Sequence, residues 1–370
     1  MIRVRLKERS YVAVVGRGVS RRGKLLEAIL DGKCKVFLIS NPRIWKLYGH
    51  SMADRKGPLA GAIPLIVPDG ERFKNIRWYE RLCEQVVRAG ADRRSVVVAL
   101  GGGVVGDLAG FVAATVLRGL ALVHIPTSLL SQIDSSIGGK TGINLGAGKN
   151  LIGAFHQPRL VVIDPNLLKT LPPRELRAGL YEAVKYGAIL DRPLFDFIEA
   201  HSEALQACRV NSLQEVVQRC VSIKARIVAE DEFEHGVRKL LNFGHTMGHG
   251  LEAATRYTRF KHGEAVGWGS LIAVRVAQRM GVINTGDAER MARAFASLGR
   301  LPIISDVPFE KVRTHMQHDK KAEAGNIAFV LPTAVGQGRV FKDVDLRLVK
   351  ISYHEIQAEA NRSKTFWNIK

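Results

Sequence analysis

The sequence predicts an open, mostly parallel α/β domain followed by a helical domain. Apolar β-type runs alternate with helical stretches through the first half of the chain. A glycine turn, Gly101-Gly102-Gly103-Val104-Val105-Gly106, joins one of those runs to a helical stretch. After about Pro165 β-branched runs become rare and helical spacing dominates. The expected domains are residues 1–165 and 166–370. A chain of 370 residues is long for one core, and at 46% hydrophobic content both halves can bury one.

The elements follow in order. Residues 2–6 and 11–15 read as an edge hairpin. The runs 35–40, 63–67, 95–100 and 121–126 are short, apolar and rich in β-branched residues, as buried parallel strands are. Amphipathic stretches such as 73–89 lie between them. Downstream, helical periodicity covers 173–190, 213–230, 263–280 and 288–298. Residues 327–332 form a late strand candidate, and the polar tail 361–370 is expected to fray.

Bulk properties narrow the class. No apolar run reaches the length of a membrane span, and the first residues lack a signal-peptide core. The four cysteines form no CxxC pair, which fits reduced thiols and a cytoplasmic location without membrane attachment. The formal charge of +20 raises nucleic-acid binding. The basic residues are scattered from Arg3 to Lys370 without a cluster or interleaved aromatics. They point instead to a basic proteome or to an enzyme with an anionic substrate, and no nucleic-acid partner is expected.

The glycine turn has the form GxGxxG after a strand and before a helix. Glycine lets backbone approach a pyrophosphate, and the helix start offers free N–H donors. The acid that usually grips the ribose is missing, because the next strand ends Ile125-Pro126-Thr127-Ser128. Either the loop is only a tight turn, or the strand-to-helix segment 68–74 supplies Glu71 and Lys74 instead; the plain reading of that segment is a turn and helix cap. Residues 131–150 are rich in small residues and carry Asp134, Lys140 and Lys149. Glycine-bordered lysines suit phosphate or carboxylate; a flexible surface loop is the plainer reading of an isolated lysine, but the place just after the glycine turn favours anion contacts.

The run Asn242-Phe243-Gly244-His245-Thr246-Met247-Gly248-His249, followed by His262, holds three histidines. His245 and His249 share one face of a helix. With a third ligand they form the open three-ligand arrangement of a catalytic zinc. The neighbouring glycines leave room for a ligand.

Together these motifs resemble 3-dehydroquinate synthases of the sugar-phosphate cyclase superfamily. They are Gly101 to Asp107, Pro126 to Leu130, Asp134 to Asn144, Lys149 to Phe155, Glu182 to Gly187 and Asn242 to His249, in that order. The resemblance implies an N-terminal Rossmann-like NAD-binding domain and an all-α C-terminal domain for metal and substrate. It implies Zn2+ or Co2+ on Glu182, His245 and His262. NAD would be held by Asp69, Gly70, Glu71, Arg72, Phe73, Lys74, Gly103, Val104, Val105, Gly106, Asp107, Thr127 and Ser128. Lys140, Lys149, Leu167, Leu168, Lys169 and Thr170 would complete that site. Substrate would meet Asp134, Lys140, Lys149, Asn150, Lys185, Lys224, Arg238, Asn242, His249 and Lys320 or Lys321, with Glu234 a further acid. His249 would relay a proton rather than bind metal. Arg118 would reach the phosphate of a neighbouring subunit, which implies a homodimer.

The implied reaction turns 3-deoxy-D-arabino-heptulosonate 7-phosphate, a phosphorylated sugar acid, into 3-dehydroquinate and phosphate in the shikimate pathway. Rival readings are an inosose or valiolone synthase and a metal-dependent polyol dehydrogenase. Some residues depart from the family pattern. Leu145 follows Asn144 where proline is common. Asn41 stands where some relatives carry an acid. Met247 and Gly250 replace phenylalanine and alanine. These bear on loop shape and packing.

Overall fold

The computed structural model describes residues 1–23, 25, 34–319 and 327–362. They form two compact units, Met1–Leu171 with Leu213–Phe233, and Pro172–Ser212 with Glu234–Lys370.

Among its described residues the first unit has nine strands: β1 (Ile2–Val4), β2 (Tyr11–Val15), β3 (Val36–Ser40), β4 (Ile63–Ile66), β5 (Val96–Gly101), β6 (Ala121–Pro126), β7 (Lys140–Leu145), β8 (Gly148–Phe155) and β9 (Leu160–Ile163). Seven make one sheet in the order β1-β2-β9-β6-β5-β3-β4. All pairings in it are parallel except β1 with β2, which form the expected edge hairpin. Parallel strands buried on both faces need apolar residues at every position. Phe37, Ile39, Val97 and Ala99 enter one core, and Leu38, Val96, Val98 and Leu100 enter the other. The helices Ile76–Arg88 and Gly103–Thr115 cover the first of these faces through Leu82, Val86, Leu108 and Val112.

Three features differ from the sequence reading. Residues 140–155 are an antiparallel hairpin, β7 with β8, a pairing absent from the sequence reading. Gly142 and Gly153 face each other there, so backbone pairing rather than side-chain pattern makes the hairpin. β9 is a four-residue strand, wholly buried and too short to show a period. The helix Val210–Glu230 belongs mostly to the first unit, and the main break falls after Leu171 rather than at 165. Amphipathic spacing reveals a helix but not which core receives its apolar face.

His124 on β6 is 6% exposed. Burial, aided by nearby His156, holds its pKa down to about 4, from an ordinary value of 6.5. The unfolded histidine therefore binds a proton that the folded one refuses between pH 4 and 6.5. Stability should rise with pH across that window, by about 3 kcal/mol in full. His124→Gln is expected to flatten this part of the urea stability profile; an unchanged slope would refute the assignment.

Among its described residues the second unit is helical, with one hairpin, Phe329–Ala334 against Gln337–Phe341. The hairpin includes the late strand candidate and is a small exception to an all-α domain. The helices Pro173–Leu190, His245–Ala254, His262–Arg279 and Thr285–Ser297 bury Tyr181, Leu251, Trp268 and Phe295. None of the four cysteines is in a disulfide. Among the described residues no helix is long and apolar enough to cross a membrane.

Candidate metal centre and nucleotide site

In the first unit, the chain steps from β3 outward to β4, then back across β3 to β5. The carboxyl ends of β3 and β5 thus flank the point where strand order reverses, a general site for ligands in open α/β sheets. Ser40 Oγ ties the two ends together by donating to Leu100 O at 2.8 Å. The glycine turn leaves β5 here, and Gly102 caps the next helix without a side-chain hydrogen bond. The N–H groups of Gly103, Val104 and Val105 begin that helix and have no intrahelical acceptor, as an anion site requires. Thr127 N bonds Gly101 O at 2.9 Å, which sets Thr127 and Ser128 beside the turn.

Asp69 and Gly70 follow β4, and Asp69 Oδ1 accepts from Asn41 Nδ2 at 3.2 Å. Asn41 thus keeps a role although it replaces an acid. Glu71 accepts from Asn144 Nδ2 at 2.7 Å. Lys74 is 3% exposed and pairs with Asp107 and with Asn150 Oδ1. Burial works to lower its pKa, but the Asp107 and Glu71 carboxylates outweigh it and hold it above the ordinary value. Burial in turn pushes the Asp107 carboxyl up, against the pull of Lys74. Phe73 packs edge-on against Trp78, and Arg72 lies over its ring.

Residues 167–170 form a turn in which Tyr48 Oη donates to Leu167 O at 3.1 Å. Tyr48 also bonds Thr170 Oγ1 at 2.6 Å; Leu168 is buried and Lys169 exposed. Lys224 is buried and donates to the Asp134 carboxylate at 2.7 Å. Lys140 and Asn150 are exposed on the hairpin, and Lys149 is half-buried. Asn150 has φ +55°, a strained value of the kind held at functional positions.

In the second unit, His245 opens the His245–Ala254 helix and His262 opens the next. Two residues without a Cβ allow close packing here, Gly263 of the His262 helix against the Pro173–Leu190 helix and Gly244 against the His262 helix. A Cβ on Gly263 would stand 1.9 Å from Ala178 O. At Gly244, φ is +76° and a Cβ would lie 2.3 Å from Ser270 Oγ. The glycines thus serve helix packing, not ligand access as the sequence suggested. Glu264 fixes the second helix start. Its carboxylate accepts from Lys261 N at 2.8 Å and from Arg174 at 2.6 and 2.7 Å.

One ring nitrogen from each of His245, His249 and His262 lies within 4.8 Å of the others. Glu182, from the Pro173–Leu190 helix, points Oε1 at Nε2 of His262 (3.5 Å) and of His245 (3.8 Å). Ligands about 2.0–2.2 Å from a shared tetrahedral ion sit near that spacing. The Glu182 side chain is 1% exposed, and its oxygens receive no well-formed hydrogen bond. A buried carboxylate so placed demands a cation. Lys185 answers one oxygen, at 2.5 Å from Oε2, and leaves Oε1 for the imidazoles. His245 Nδ1 lies 3.1 Å from Phe243 O, an acceptor only, so Nδ1 carries the proton and Nε2 is bare. Burial first, then the Lys185 ammonium, keep His245 well below the ordinary histidine pKa, hence neutral and able to ligate. The residues therefore fit a divalent metal.

Arg238 is 2% exposed, and Asn242 Nδ2 donates to Glu234 Oε1 at 2.7 Å. Glu234 has φ +66°. Lys320 and Lys321 lie outside the described residues. Glu252 was not singled out from the sequence, although it follows His245 by seven positions, two helical turns. His262 Nδ1 lies 3.1 Å from its Oε2.

A parallel sheet with an anion-ready glycine turn, followed by a helical unit bearing a histidine–carboxylate cluster, is the plan of a sugar-phosphate cyclase. Two solved structures of such cyclases share the fold. One is 2-deoxy-scyllo-inosose synthase complexed with carbaglucose-6-phosphate, NAD+ and Co2+ (TM-score 0.85, 28% identity, 95% of this chain and 99% of that one). The other is 2-epi-5-epi-valiolone synthase from Streptomyces hygroscopicus subsp. jinggangensis with NAD+ and Zn2+ bound (TM-score 0.85, 27% identity, 96% and 99%). The chain itself belongs to the 3-dehydroquinate synthase family. The family's N-terminal model matches residues 64–178 and its C-terminal model residues 179–322. The 3-dehydroquinate synthase of Thermosynechococcus vestitus is 42% identical over 369 residues, 97% of this chain and 99% of the relative. That exceeds the identity to the inosose and valiolone synthases, so those readings are not favoured.

Proposed function

We propose that the chain converts 3-deoxy-D-arabino-heptulosonate 7-phosphate into 3-dehydroquinate and phosphate. The observation that carries this reading is the Glu182–His245–His262 cluster in a chain of this family. Glu182, His245 and His262 would hold Zn2+ or Co2+, and NAD would lie on the glycine turn with Asp69 to Lys74. Bound NAD supplies a hydride acceptor and donor at C5, and the metal supplies a Lewis acid for the substrate oxygens.

The side chains of the protein do the rest. His249 takes and returns the hydroxyl proton. Lys140, Lys149, Lys224, Arg238 and Lys320 meet the carboxylate and phosphate as cations, while Asp134, Asn150, Lys185 and Asn242 orient the hydroxyls. A ketone at C5 makes the neighbouring C–H acidic, and the substrate phosphate takes that proton as it leaves. Reduction, ring opening and an intramolecular aldol close the carbocycle.

The homodimer, with Arg118 serving the neighbouring subunit, and the cytoplasmic location belong to the same proposal.

The test supplies purified protein with the heptulosonate phosphate, zinc and catalytic NAD. Phosphate should appear in step with substrate loss and without net NADH. No phosphate release would overturn the assignment; accumulating NADH would indicate a polyol dehydrogenase.

A further inference from the structure

Glu252 lies seven residues beyond His245 and three beyond His249, so the three side chains leave one stripe of the His245–Ala254 helix. Its side chain is 3% exposed, a burial carboxylates bear only when partnered. The His262 ring is 32% exposed, so packing alone does not wedge it. Its two nitrogens diverge. Nε2 faces Glu182 Oε1 at 3.5 Å, and Nδ1 faces Glu252 Oε2 at 3.1 Å. A nitrogen bonded to Glu252 cannot point at the ion that Glu182 would share. His245 shows the same division, with Nδ1 held by Phe243 O and Nε2 turned to Glu182.

We infer that Glu252 is a positioning residue for the metal centre. It accepts from His262 Nδ1–H, selects the tautomer with a bare Nε2, and sets the angle of the ring. Carboxylates that hold the far nitrogen of a ligating histidine typically change metal affinity 10–100-fold when removed. The inference rests on His262 being a ligand, so the experiment tests both.

Zinc affinity is measured by chelator competition on the full chain and on His262→Ala, Glu252→Leu and Glu252→Gln. The visible absorption of each cobalt-loaded protein is recorded as a second readout. His262→Ala should lose tight binding. Glu252→Leu should bind about 100-fold more weakly and shift the cobalt bands. Glu252→Gln keeps an oxygen acceptor but not the charge, and should fall in between at about 10-fold. Leu251→Ala, a buried neighbour, should lower the melting temperature without moving the cobalt bands. If His262→Ala binds zinc like the parent, the ligand reading fails. If His262→Ala loses zinc while Glu252→Leu stays within twofold of the parent with unchanged bands, the role of Glu252 alone is overturned. Should Glu252→Leu not fold, Glu252→Gln decides on the same twofold criterion.

Discussion

His249→Ala is expected to keep the metal and to lower kcat by roughly 10²–10⁴-fold, the range for a lost proton-transfer group. His245→Ala is expected to lose both metal and activity. The two histidines are one turn apart, with ring centroids 5.4 Å apart. By proximity alone either could ligate, since all three ring nitrogens fall within 4.8 Å. Glu182 breaks the tie. Its Oε1 is near Nε2 of both His245 and His262, and on the proposed function these with Glu182 would make a three-ligand set with an open position. His249 would then serve proton transfer. Metal content per chain after gel filtration, beside kcat from phosphate release, checks the division. Equal metal loss in both variants would mean that His249 is a ligand.

Glu182→Leu should destabilise the metal-free protein by about 3–5 kcal/mol, because it strands a buried ammonium. The side chains of Lys185 and Glu182 are each 1% exposed and 2.5 Å apart. Removing one partner is costly, whereas replacing both with apolar groups of similar size is often close to neutral. The double variant Glu182→Leu with Lys185→Met should therefore recover most of the loss. Urea unfolding in the presence of a chelator separates this effect from metal binding. A Glu182→Leu midpoint equal to that of the parent would show that the pair carries no such coupling. On the proposed function the same carboxylate would answer two cations, the Lys185 ammonium and an exchangeable metal.

Much of this was legible in the chain because the signals were local. The β-branched runs at 36–40 and 96–101 report burial on both faces, and the histidine spacing reports one helical stripe. The hairpin at 140–155 was not legible, because its pairing lies in the backbone of glycine-rich strands. Glu252 was missed because its partner is ten residues away, across a turn and in another helix. The glycines beside the histidines were read for the wrong reason. Their neighbours, Ala178 and Ser270, come from other helices, and single-sequence spacing carries no information about them.

The segment Leu213–Phe233 has a consequence for cutting the gene. The polypeptide passes from one unit to the other at 171/172, 212/213 and 233/234, so no single cut frees either unit whole. A fragment ending at Leu171 would lack Lys224 and leave the Asp134 carboxylate without that ammonium. Fragment complementation or domain exchange between relatives would have to move a noncontiguous block.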